Sequence, residues 1–287
     1  MWLNKKAGYL QDWITQVWVK TTGKKFNPQD DDWLLGPIGD TRIIKDKFFK
    51  DLASSENLSI SENEKGTGLM DSMHALLPDE SDKKNVHPEI INFYECTSDY
   101  NFEIWSEWCS FYKPFGKLLA IIFSRRLQQL NLPLSAMDSS MGINSKIIKL
   151  RDKENVAKYT VWYRIMKSSG NVIYSGIYTT SKTRNEDCSH LKVVFPLPNG
   201  NASVIMKKEV LKDGSLLLSS EGKRFGDNGF YFVLTNHQGR YWAKFVKSMH
   251  EWIHVYVDEE NVLRTNHTLH FYGRPFLKLH YKMSRKP

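Results

Sequence analysis

A chain of 287 residues that is 41% hydrophobic can build a sizeable core, as one large or two modest domains, and is too apolar to be disordered throughout. Its formal charge of +8 is scattered, with only short clusters such as Lys5-Lys6, Lys24-Lys25, Arg125-Arg126 and Arg285-Lys286. A nucleic-acid binder concentrates such charge on one stripe, so nucleic acid is not an expected partner, and weak association with an anionic membrane surface is the most that this charge implies.

Cys96, Cys109 and Cys188 are odd in number and form no C-x-x-C, which argues against a disulfide framework and a cysteine-built zinc site. No apolar leader follows Met1-Trp2-Leu3-Asn4-Lys5-Lys6, and the longest apolar run, 118–123, falls far short of the ~20 residues of a membrane-spanning helix. The expected setting is cytoplasmic, at most membrane-peripheral.

Residues 1–54 read as a helical segment. Tyr9, Leu10, Trp13, Ile14, Val17 and Trp18 recur at helical spacing and form one apolar stripe, which suits a docking helix. Past the breakers Gly36-Pro37-Ile38-Gly39, Asp40 is placed to cap a second helix that runs to Leu52. Residues 55–85, dense in Ser, Glu, Asn, Asp, Lys and Gly, read as a flexible linker with a helical turn near 69–77. Residues 86–135 read as helices packing on a sheet. Pro88 suits a first helical position, and Phe102, Trp105, Trp108, Cys109 and Tyr112 repeat at three and four residues. Pro114 opens an apolar helix over 115–130 that carries Arg125 and Arg126. It suits burial against the sheet, a lid over a cavity, or an interfacial anchor.

Beyond residue 140 the period changes to two. Strand-like runs fall near 146–151, 156–167, 172–179, 190–197, 202–208, 215–220, 228–235, 240–247, 251–257, 262–271 and 276–283. Between them stand turn sequences such as Ser169-Gly170-Asn171, Asn199-Gly200-Asn201, Asp213-Gly214, Gln238-Gly239 and Tyr272-Gly273. No helix long enough for a parallel crossover intervenes. The expected fold is therefore mainly β with N-terminal helices (α+β), residues 140–287 forming an antiparallel meander that closes as a lipocalin- or calycin-like barrel.

A barrel of eight or more strands can hold one apolar or amphipathic small molecule, such as a lipid. The candidate ligand-binding wall is Tyr159, Val161, Tyr163, Ile165, Tyr174, Tyr178, Phe230, Phe232 and Tyr241, with Arg264 as a partner for an acidic headgroup. Simple core packing is the competing reading of each.

Val194-Phe195-Pro196-Leu197-Pro198-Asn199-Gly200-Asn201-Ala202, Phe225-Gly226-Asp227-Asn228-Gly229-Phe230-Tyr231-Phe232 and Tyr256-Val257-Asp258-Glu259-Glu260 resemble segments of the soluble part of bacterial YndJ-type proteins, an uncharacterised family. The likeness runs over roughly 87–283. It brings no activity to carry over, and the membrane portion of that family has no counterpart expected here.

His250-Glu251-Trp252-Ile253-His254 matches the H-E-x-x-H of zinc hydrolases, which requires a helix to bring both histidines to one metal. Trp252, Ile253, Val255, Tyr256 and Val257 favour a strand instead. The histidines would then stand ~13 Å apart, with Glu251 on the opposite face. His267-Thr268-Leu269-His270 fails as a ligand pair by the same parity, and Asp258-Glu259-Glu260 reads as a hairpin tip. No catalytic residue, metal or cofactor is expected. The expected function is non-catalytic binding of an apolar or amphipathic small molecule. A zinc hydrolase built on His250 and His254, and a membrane- or protein-interaction module with a filled barrel, are the alternatives.

Overall fold

The computed structural model describes residues 10–39, 44, 46–109 and 142–287. The N-terminal part comprises α1 (Leu10–Thr22), β1 (Lys24–Phe26), α2 (Lys47–Glu56), β2 (Ser59–Glu62), α3 (Glu80–Asn85), α4 (Pro88–Glu95) and β3 (Tyr100–Trp108). Helix α4 begins as its sequence dictates. Pro88 occupies the first turn, and His87 Nδ1 accepts from the Glu89 amide at 3.2 Å.

All eleven strand-like runs are strands: β4 (Ile143–Arg151), β5 (Ala157–Met166), β6 (Val172–Ser181), β7 (His190–Leu197), β8 (Gly200–Val210), β9 (Leu216–Ser219), β10 (Gly229–Thr235), β11 (Tyr241–Phe245), β12 (Met249–Val257), β13 (Leu263–Phe271) and β14 (Arg274–Arg285). Their turns use left-handed residues at the expected places. A two-residue turn joins β13 to β14 through Tyr272 and Gly273, at φ 49° and 75°.

Strand neighbours follow the order β2-β4-β5-β6-β7-β8-β9-β12-β13-β14-β3, all antiparallel. The expected barrel is not a closed one. At β8 the sheet forks: Lys207–Val210 pair with β9, whereas Gly200–Ile205 pair with β10, which leads through β11 to β1. At the other discontinuity β3 lies beside β4 without pairing with it, because part of the outer edge of β4 is taken by β2. Side chains cover this seam, with Phe102 and Trp162 at 5.4 Å between ring centroids.

Three further sequence expectations are corrected. The stretch expected as a helix around Phe102 is strand β3, in which Tyr100, Phe102 and Ile104 alternate inward. Period 2 prevails because β14 offers a full-length partner, from Tyr100↔Arg285 to Trp108↔Leu277. The expected linker is packed: Leu69, Met70, Met73, Leu76 and Leu77 are buried in the main core, and β2 extends the sheet. Its spaced apolar residues outweigh its polar composition. Helix α2 starts at Lys47, while Asp40 and the expected helix over 115–130 lie outside the described residues.

The sheet is covered on both sides. Its concave face holds the main core, closed beneath by α4 and the 69–77 segment. The convex face of β4–β7 packs under α2, where Ile148, Leu150, Val161 and Tyr163 meet Phe48, Phe49 and Ala53.

Candidate functional site

The inner faces of β5–β8, β10 and β12–β14 surround a cavity of about 450 Å³, within the range of small-molecule sites. Its wall is largely aliphatic and aromatic, including Ile173, Val193, Val204, Ile253 and Leu279. Helix α1 lies at one end and turns Asp12, Thr15, Gln16 and Val19 toward it. This reverses the expected docking stripe: Leu10 and Ile14 are 69% and 56% exposed, while Gln16 is buried. Both amide atoms of Gln16 lack a hydrogen-bond partner among the described residues.

Four expected wall residues, Tyr174, Tyr178, Phe230 and Phe232, do line this cavity. Tyr159, Val161, Tyr163 and Ile165 do not; they belong to the convex face beneath α2. Strand β5 presents Trp162 and Arg164 inward instead. Its central residues are buried on both faces, so alternation alone cannot reveal which face is inside. Tyr241 packs outside as well, against Phe26 at 5.6 Å. Arg264 is not in the cavity. Its guanidinium pairs with Asp258 and lies 3.9 Å from Glu260, within the β12–β13 hairpin. Its sequence neighbours on the 258–260 turn already supply the carboxylates that a headgroup would have offered.

The cationic group inside is Arg164, 4% exposed. Its guanidinium carbon stands 4.0 Å from the Trp162 ring centroid, 4.5 Å from Tyr174 and 5.5 Å from Tyr281. The rings supply cation–π attraction, and the Tyr281 hydroxyl is also within hydrogen-bonding reach of the guanidinium. Nε and Nη1 have no hydrogen-bond partner among the described residues. Nearby, Glu251 Oε2 is 2.6 Å from His267 Nε2, an internal pair on β12 and β13. Burial pushes the Tyr178 phenol up to about 12 and that of Tyr174 well above 10, so both are neutral at physiological pH. The described wall is thus mainly apolar, with one cation that has two unpaired donors and two carboxylates, Asp12 and Glu251, the latter engaged by histidine.

The histidines of the H-E-x-x-H match are on a strand, β12, on the face opposite Glu251. His250 Nδ1 lies 2.8 Å from Ser220 O, and His254 Nε2 lies 2.8 Å from Ser215 Oγ. They are anchored to separate partners and do not converge. Another group does: Glu186, Cys188 and His190 bring their donor atoms within 4.8 Å of one another. Cys188 Sγ and Glu186 Oε2 both approach His190 Nε2, at 3.5 and 3.4 Å. Lys207 Nζ stands 3.8 Å from that Glu186 oxygen, and the buried His190 Nδ1 has no hydrogen-bond partner among the described residues.

On the convex face, buried Lys192 donates to Trp33 O at 2.6 Å and Leu35 O at 2.5 Å, fastening the 33–35 segment to β7. Burial lowers its ammonium pKa to about 8.

No helix among the described residues is long and apolar enough to cross a membrane. No family model matches the chain, and no solved structure matches it. The chain is similar to the uncharacterized membrane protein YndJ of Bacillus subtilis (strain 168), with 26% identity over 237 residues. The matched region covers 79% of this chain, more than the stretch from His87 onward supplies, so the similarity reaches into the N-terminal part. It covers 40% of YndJ, so the chain spans less than half the length of that relative. The resemblance expected from the turn and strand segments around Asn199, Asp227 and Asp258 is therefore to a protein whose own activity is uncharacterised.

Proposed function

We propose that this protein binds an apolar or amphipathic small molecule, without catalysis, inside its curved sheet. One observation carries the reading: the concave face encloses about 450 Å³ lined mainly by aliphatic and aromatic side chains. Well-packed interiors leave few voids larger than a water molecule, so a space of this size and polarity suits an apolar guest. Among the described residues the cavity wall brings no nucleophile and base together. The acid–base pair on the described wall, Glu251 with His267, satisfies itself.

The test uses the neutral fluorescent probe N-phenyl-1-naphthylamine with the full chain. Saturable binding near one probe per chain is expected, weakened by Ala202→Phe, which sends a ring from β8 into the space. A wild-type protein that does not bind the probe would remove the proposal. So would an Ala202→Phe variant that leaves binding unchanged while losing the roughly 1–3 kcal/mol expected of an overpacked core.

A further inference from the structure

We infer that the cavity is specific for a single-chain amphiphile carrying one negative charge, a carboxylate, and that Arg164 is the residue that receives it. The inference rests on the proposed binding function and names the class of ligand.

Arg164 is 96% buried, with two donors unsatisfied among the described residues. The Tyr281 hydroxyl is a neutral partner for the guanidinium, but burying a charge with two donors left unpaired is still costly, and guanidinium keeps its proton. Most proteins answer this with an adjacent carboxylate. Here two carboxylates reach the same space, and neither bonds to Nε or Nη1: Asp12 is on α1, and Glu251 is engaged by His267 at 2.6 Å. The faces of Trp162 and Tyr174 hold the guanidinium in position but offer it no lone pairs in the plane of its N–H bonds. The missing partner is an anion that arrives through the cavity, which Arg164 lines.

The number of charges follows from the rest of the wall. Among the described lining residues Arg164 is the sole Lys or Arg, while Asp12 and Glu251 are acidic. One cation among two acids suits a monoanion and disfavours a phosphate, which carries up to two charges near neutral pH. The apolar wall beyond it fits one hydrocarbon tail. The unpaired Gln16 amide on α1, on the same wall, offers both a donor and an acceptor to a polar atom further along the ligand.

The experiment displaces N-phenyl-1-naphthylamine from the wild-type chain with dodecanoate, dodecanol and dodecyl phosphate at pH 7.5. A charge-assisted hydrogen bond is worth about 1.5–3 kcal/mol, so dodecanoate is expected to displace the probe at least about tenfold more tightly than dodecanol. Arg164→Gln should abolish that preference while leaving dodecanol unchanged within a few-fold, and Arg164→Lys should retain part of it. Probe binding with equal displacement by acid and alcohol overturns the headgroup inference and leaves the cavity reading standing. Dodecyl phosphate as the tightest competitor overturns the monoanion class. Absence of probe binding removes the cavity reading itself. The wild-type comparison decides the matter even if Arg164→Gln fails to fold.

Discussion

Which face of β5 looks into the cavity determines every assignment made above, and it can be measured as a pattern of coupling energies. Tyr163 lies under α2, 5.9 Å from Phe49 in an edge-to-face arrangement at 72°, whereas Trp162 points to the opposite side of the sheet. An aromatic pair of this geometry contributes about 0.5–1.5 kcal/mol beyond the area it buries. Phe49→Leu keeps most of the apolar volume and by itself should cost less than about 1.5 kcal/mol. Combined with Tyr163→Leu in a double-mutant cycle, it should show a coupling of about 0.5–1.5 kcal/mol. Combined with Trp162→Phe, the two changes act on opposite faces and should add to within about 0.5 kcal/mol. Urea denaturation followed by fluorescence and by far-UV circular dichroism supplies the free energies. Coupling between Phe49 and Trp162, with none between Phe49 and Tyr163, would mean that β5 is turned by one residue. Arg164 would then be outside, and the headgroup argument would fall with it.

Leu76→Ala should destabilise the fold by about 2–5 kcal/mol, because Leu76 is fully buried; a loss below about 0.5 kcal/mol, or first proteolytic cleavage at 69–77, would restore the linker reading. Gly200→Ala should cost roughly 1–3 kcal/mol or more in thermal or urea melts, since a Cβ there would stand 1.9 Å from Val233 O of the paired strand β10; a neutral effect would refute the β8–β10 register. Lys192 gives a pH signature. Its folded pKa of about 8 lies below the ordinary 10.5, so between those values the unfolded chain binds the extra proton and stability should rise with pH, by up to about 3 kcal/mol. Above about pH 10 the buried tyrosines Tyr174 and Tyr178, whose phenols are raised by burial, oppose that rise as the unfolded chain ionises first. Equilibrium melts from pH 7 to 10 test this, and a slope unchanged in Lys192→Met would refute the assignment.

The strands were legible because their turns are chemically specific. Asn199-Gly200, Gln238-Gly239 and Tyr272-Gly273 each stop one period-2 run and start another, and the structure turns at each. The strand at His250–His254 was legible for the same reason, since β-branched and aromatic neighbours outweighed the zinc-site match. Facing was not. In β5 the residues from Thr160 to Arg164 are all buried, since the strand has the cavity on one side and α2 on the other. Alternation separates inside from outside only where one face meets water. The same double burial hid Arg164, which by charge alone belongs on a surface, and it left Arg264 as the more visible cation. Strand β3 was hidden because Phe102, Trp105 and Trp108 fall at helical spacing, although Asn101, Glu103 and Glu107 mark the true alternation. The fork at β8 leaves no local trace, since it depends on which distant partners reach the two halves of one strand.

Because the sheet is open, it has edges, and an edge strand is a template on which another chain can add itself. The hydrogen-bonded branch through β10 and β11 ends at β1, three residues long, with Lys24 and Lys25 exposed. One end of the principal path is β2, four residues long and mostly exposed, with Glu62 at its tip. Such short charged strands offer an incoming chain only one or two backbone bonds and surround them with groups that resist dehydration. Edge-to-edge polymerisation is thereby resisted at these two ends, while the other end of the principal path, the nine-residue β3, lies against β4.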